Sequence, residues 1–132
     1  MHPVNKILLV DDDEATNFLS RILLQKIHAA KEIMVAEDGR MALDLIQQTG
    51  CPDIIFLDIR MPQMDGFEFL DSLESTNKWK NAKIIMLSSV VQAEDKERAR
   101  AYSSVMDCLE KPITQEMVEK VTKEYWRDKA HD

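Results

Sequence analysis

The paired carboxylates Asp11 and Asp12, a third acid at Asp58, a hydroxyl at Ser88 and an amine at Lys111 could act together in one reaction. Three carboxylates held within a few ångströms repel one another, so either their pKa values rise or a cation sits between them. Oxygen-only ligands favour Mg²⁺, which keeps several waters and takes one or two carboxylates plus phosphate oxygens. The missing ligand is then a phosphoryl group. Lys111 is suited to neutralising developing phosphate charge and Ser88 to donating a hydrogen bond to a phosphoryl oxygen, while Asp58 is a plausible nucleophile forming an acyl phosphate. The set suits phosphoryl transfer to an aspartate.

These residues meet only if the chain brings four separate segments to one rim. Four of the five stand where an apolar run stops, Asp11 and Asp12 after residues 6–10, Asp58 after 54–57 and Ser88 after 83–87, and Lys111 follows a fifth strand read over 106–110. Short continuous apolar runs are expected of strands buried on both faces of a parallel sheet. Residues 32–36 read as one more strand. Helical patterns separate them: 14–28, with Phe18, Leu19, Ile22, Leu23 and Ile27 inward and Asn17, Arg21 and Lys26 outward; a stretch with Met41, Ala42, Leu45 and Ile46; one with Phe67, Leu70 and Leu73; a charged helix over about 92–103; and a last helix capped by Thr114 with Met117, Val118, Val121 and Tyr125 inward. Five alternations without a long linker predict a doubly wound α/β fold, one parallel sheet with helices on both faces. In such sheets ligands bind beyond the carboxyl ends of the strands.

Composition narrows the function classes. The 132 residues, with 45% apolar and 31% charged, are expected to form a single domain over 1–132 with a core of about 6–126. A net charge of −7 repels phosphate backbones and anionic lipid, so no direct nucleic-acid partner is expected. No apolar run approaches the roughly 20 residues needed to span a bilayer, and the start lacks a signal-peptide pattern, which predicts no membrane insertion and a cytoplasmic protein. Cys51 and Cys108 lie far apart with no CxxC and read as free thiols. His2, His28 and His131 lack metal-ligand spacing, and the charge run 94–98 reads as a solvated helix face.

The segments Ile7-Leu-Leu-Val-Asp11-Asp12, Asp58-Ile-Arg-Met-Pro62-Gln-Met-Asp65-Gly66, Met86-Leu-Ser88-Ser89 and Lys111-Pro112 occur in the order and at the separations of a known family. Nearly the whole chain resembles the receiver domains of two-component response regulators. The resemblance implies a flavodoxin-like fold of five strands and five helices in the order 2-1-3-4-5. It implies that Asp58 accepts phosphate from a histidine kinase or histidine phosphotransfer protein, and that Asp12 and Asp58 ligate Mg²⁺ directly, Asp11 through water and Arg60 through its backbone carbonyl. Ser88 would close toward the phosphoryl group, Lys111 would pair with it, and the face built from the fourth helix, fifth strand and last helix would carry the signal to a downstream protein. At this length the chain leaves no room for an output domain, so the signal is expected to leave through a protein contact rather than through an enzyme activity.

The chain departs from the family pattern at three places. Cys108 stands three residues before Lys111, where similar domains often carry an aromatic that swings inward. Ser104-Val105 replaces a frequent Gly-Ala. Arg60 and Val90 occupy the positions that influence autodephosphorylation, and with no acid or amide there to orient a water, slow self-hydrolysis is expected. Two alternatives compete with this reading. Asp11-x-Asp13 resembles the nucleophile motif of haloacid-dehalogenase-type phosphatases, although Ala15 stands where that motif has Thr or Val and Asp58 is left unexplained. A receiver fold that binds partners without being phosphorylated is the other.

Overall fold

The computed structural model describes residues 2–130, so His131 lies outside the described residues. Five strands, β1 (Val4–Val10), β2 (Ala30–Ala36), β3 (Ile54–Asp58), β4 (Lys83–Ser88) and β5 (Val105–Glu110), alternate with five helices, α1 (Glu14–Lys26), α2 (Gly39–Thr49), α3 (Gly66–Glu74), α4 (Ala93–Ala99) and α5 (Gln115–Ala130). All strand pairs are parallel and the sheet order is β2-β1-β3-β4-β5. The doubly wound α/β fold and its 2-1-3-4-5 order are thus as expected.

Because side chains alternate across a sheet, the continuous apolar runs feed two cores. Leu8, Val10, Ile55, Leu57 and Met86 face one side with Ala42 and Ile46 of α2 and Phe67 and Leu70 of α3. Ile7, Leu9, Ile54, Phe56 and Leu87 face the other with Leu24 of α1 and Val118, Val121 and Tyr125 of α5. The register sets Val10 beside Leu57, Asp58 beside Leu87 and Ser88 beside Glu110, so the ends of β1, β3, β4 and β5 form one level rim.

Two helices differ from expectation. In α1 the buried residues are Asn17, Ser20 and Leu24, while Phe18, Leu19 and Ile22 are 64, 65 and 44% exposed. The helix is rotated because Asn17 is required inside: its amide donates to the Asp11 carbonyl at 2.8 Å, satisfying main chain at the end of β1. The fourth helix stops at Ala99, short of residue 103. Beyond it the Tyr102 hydroxyl donates to Asp71 Oδ1 at 2.6 Å and the Ser104 N–H to Glu74 Oε2 at 3.1 Å, and these bonds to α3 draw the chain out of helical geometry.

Candidate functional site

Asp11 follows the last residue of β1 and is 6% exposed; Asp12, next in the turn into α1, is exposed; Asp58 ends β3 at 5% exposure. One carboxylate oxygen from each lies within 4.8 Å of the others. The Lys111 ammonium, just past β5, sits 2.7 Å from Asp11 Oδ2 and 3.3 Å from Asp58 Oδ1. The Lys111 main-chain N–H donates to the Ser88 carbonyl at 2.9 Å, which ties the turn after β5 to the end of β4; the Lys111–Pro112 peptide is cis. The structure therefore gathers Asp11, Asp12, Asp58 and Lys111 in one pocket.

Ser88 is buried at the end of β4 on the same rim, with its hydroxyl turned to donate to the Val90 carbonyl at 3.0 Å. Arg60 divides its groups. Its main-chain N–H approaches Asp58 Oδ1 at 3.4 Å, while its guanidinium turns away to Asp95 of α4, with Nη2 at 3.1 and 2.9 Å from the two carboxylate oxygens. The turn after β3 is closed by the Gly66 N–H donating to the Ile59 carbonyl at 2.9 Å and by a reciprocal cap between Asp65 and Glu68 at the start of α3.

Burial, and then the neighbouring Asp11 charge, push the Asp58 carboxyl up to about 6, with the Lys111 charge and the Arg60 N–H opposing them. Burial alone would lower the Lys111 ammonium, but its hydrogen bond and charge attraction to Asp11 and then to Asp58 outweigh this and hold it above its ordinary value. The lysine stays charged inside an acid pocket. Without a divalent cation the folded protein holds a proton on Asp58 more tightly than the unfolded chain does. That tighter hold stabilises the fold fully below the ordinary carboxylate value of 3.8 and is lost as pH rises through about 6. Asp58→Asn is therefore expected to raise unfolding stability at neutral pH by about 1–2 kcal/mol after allowance for solvent screening. Urea titrations of the two proteins in chelator should converge in acid; an Asn variant no more stable at neutral pH would show that the pocket does not strain its acid.

Several residues that shape the site went unmarked in the sequence. Asn17 reads as outward polar and Asp95 as part of a solvated charge run, yet both are buried, at 6% each. The signal for α1 was its excess of apolar positions, too many for one inward stripe: Phe18, Leu19 and Ile22 are left facing solvent. A groove of about 340 Å³ lined by Thr16, Leu19, Ser20, Lys111 and Ile113 connects that face to the pocket lysine. Cys51 and Cys108 are free thiols, the second buried.

Residues 7–123 match the family model described as response regulator receiver domain. Protein PilG of Pseudomonas aeruginosa is 33% identical over 84% of this chain and 79% of its own length. Hybrid signal transduction histidine kinase A of Dictyostelium discoideum is 36% identical over 83% of this chain, which spans only 5% of that protein. Among solved structures, a two-component response regulator from Cytophaga hutchinsonii superposes with a TM-score of 0.89 at 25% identity, covering 96% of this chain and 99% of that one. The chemotaxis protein CheY4 of Vibrio cholerae gives 0.79 at 30% identity, covering 92 and 98%. With the sheet order, the pocket and these matches in agreement, the chain belongs to the response regulator receiver domain family of two-component signalling.

Proposed function

We propose that the chain works as a single receiver domain that accepts a phosphoryl group on Asp58 from a histidine kinase or histidine phosphotransfer protein and signals by changed protein contacts. The observation that carries this is the convergence of Asp11, Asp12, Asp58 and Lys111 in one pocket at the carboxyl end of the sheet. Receiver domains bind Mg²⁺ at such acidic pockets, and the donor set here fits that ion: three hard carboxylate oxygens in reach of one another and no sulfur or imidazole among them. Asp12 and Asp58 would hold it directly, Asp11 through water and Arg60 through its backbone carbonyl. When bound, the ion neutralises charge on the transferring phosphoryl oxygens.

In the transfer, an Asp58 carboxylate oxygen forms the new bond to phosphorus as the P–N bond to the donor imidazole breaks. The bonding pair returns to the ring nitrogen, which takes up a proton from solvent. Lys111 supplies positive charge at the phosphoryl oxygens, and the Ser88 hydroxyl exchanges the Val90 carbonyl for a phosphoryl oxygen. The donor seats on the exposed Phe18, Leu19 and Ile22 of α1, an apolar face bordering the groove that leads to Lys111. Activity is limited to this self-directed transfer and a slow hydrolysis. Val90 is 68% exposed and apolar and Arg60 offers neither an acid nor an amide, so neither orients a water for attack at Asp58.

A radiolabelled phosphohistidine phosphotransfer domain, mixed with the chain and Mg²⁺, tests this. Label is expected to move to Asp58, to stay on the donor in chelator, and to decay slowly once the donor is removed. Label on Asp11 with rapid release of inorganic phosphate would instead establish the phosphatase alternative, and partner binding indifferent to label would support the unphosphorylated interaction module.

A further inference from the structure

Among the helices, α4 has the thinnest apolar seat. Its seven residues bury only two side chains, Asp95 and Ala99, so one methyl group and one carboxylate are all that it buries. A methyl group removes little apolar area from water, and a carboxylate at 8% side-chain exposure opposes seating unless a cation meets it. The C-terminal half of the helix has another anchor in Arg98, whose guanidinium lies 4.3 Å from the Phe67 ring centroid. The N-terminal half, where Asp95 occupies the first turn, rests on the Arg60 guanidinium.

Arg60 stands two residues after Asp58 and reaches both ways: its main-chain N–H toward Asp58 Oδ1, its guanidinium onto Asp95. We infer that Arg60 and Asp95 form a charged latch that seats α4 while Asp58 is unmodified and releases its N-terminal half when Asp58 is phosphorylated. The inference rests on Asp58 being the phosphoacceptor. Phosphorylation replaces one carboxylate oxygen with a bulkier, more highly charged group, so the Arg60 N–H and the main chain that carries it must readjust. The guanidinium moves with that main chain. Once it leaves Asp95, a buried carboxylate has lost its cation, a change large enough to expel it toward water. Space is at hand: a groove of about 220 Å³, lined by Lys96, Ala99, Arg100, Met106 and Cys108, separates α4 from β5. At Cys108 the side chain is small, so the signal travels along the Arg60 main chain without needing a ring to rotate.

Hydrogen exchange followed by mass spectrometry over residues 93–99 tests the latch in the full chain. In unmodified protein, Asp95→Asn and, separately, Arg60→Met are expected to speed exchange in that peptide by about tenfold, with peptides from β1 and β3 unchanged. Phosphorylating wild type with acetyl phosphate and Mg²⁺ should produce a similar acceleration, and phosphorylating Asp95→Asn should add less than twofold. Variants that exchange at the wild-type rate would overturn the latch. Exchange over 93–99 unmoved in wild type whose intact mass shows the added phosphoryl group would overturn the coupling. No added mass would bring down the phosphoacceptor assignment and the coupling with it, while the unmodified variants still decide whether the pair seats α4.

Discussion

Lys111→Met is expected to slow labelling of Asp58 by a small phosphodonor by 10²–10³-fold, on the order found when one preorganised charge stabiliser is removed from a transfer site. The replacement is nearly isosteric and the lysine side chain is only 17% exposed, so the loss is of charge rather than of volume. In the wild type that charge lies 2.7 Å from Asp11 and 3.3 Å from Asp58, held above its ordinary pKa by both. Removing it leaves two buried carboxylates facing each other and drives Asp58 further above 6. In chelator the variant should therefore be less stable by about 1–3 kcal/mol, less than for a fully buried pair because the pocket opens to water. The deficit should shrink as pH falls through the Asp58 value, where protonation removes one of the two charges, and it should shrink on adding Mg²⁺. Labelling within threefold of wild type would contradict the role given to this lysine.

Gly66→Ala is expected to damage both fold and site, although residue 66 carries no functional group. A Cβ there would lie 2.7 Å from the Asp58 carbonyl oxygen, 3.1 Å from Ile59 Cα and 3.1 Å from Met86 Cε, and the first two are main-chain atoms that cannot turn aside. Overpacking of this kind costs about 1–3 kcal/mol. The shift it forces is at the backbone of the phosphoacceptor itself, and misplacement of a reacting group by about 1 Å lowers rates about 100-fold. Gly39→Ala makes the control. The nearest neighbours of its Cβ would be side-chain atoms of Met64, the closest a sulfur on a flexible stem at 2.6 Å, so its cost should be smaller and its labelling rate normal. Equal effects of the two substitutions in urea titration and labelling would show that close approach to Asp58 is not what glycine at 66 serves.

The sequence carries what is written into short segments. An apolar run that halts at Asp11, Asp58 or Ser88 declares both a buried strand and its functional end, Lys111 follows the half-buried edge strand β5, and five strand–helix alternations leave little choice of topology. What it did not carry depends on which neighbour a side chain meets. Periodicity alone turned Phe18 and Leu19 inward; the structure turns Asn17 inward instead, because a main-chain carbonyl at Asp11 needs a donor more than the core needs another ring. Asp95 sits in a run of charges that resembles any solvated helix face, and its partner Arg60 is 35 residues away. No local pattern links the two. The bend after Ala99 has the same origin in contacts to α3 from Tyr102 and Ser104.

Whether Asp58 takes the phosphoryl group is decided by intact mass measurement after incubation with acetyl phosphate and Mg²⁺. The wild type should gain the mass of one phosphoryl group and Asp58→Asn none, with the gain mapping to the peptide that ends β3. Equal gain in the two proteins, or no gain in the wild type with Mg²⁺ in excess, would contradict Asp58 as the phosphoacceptor.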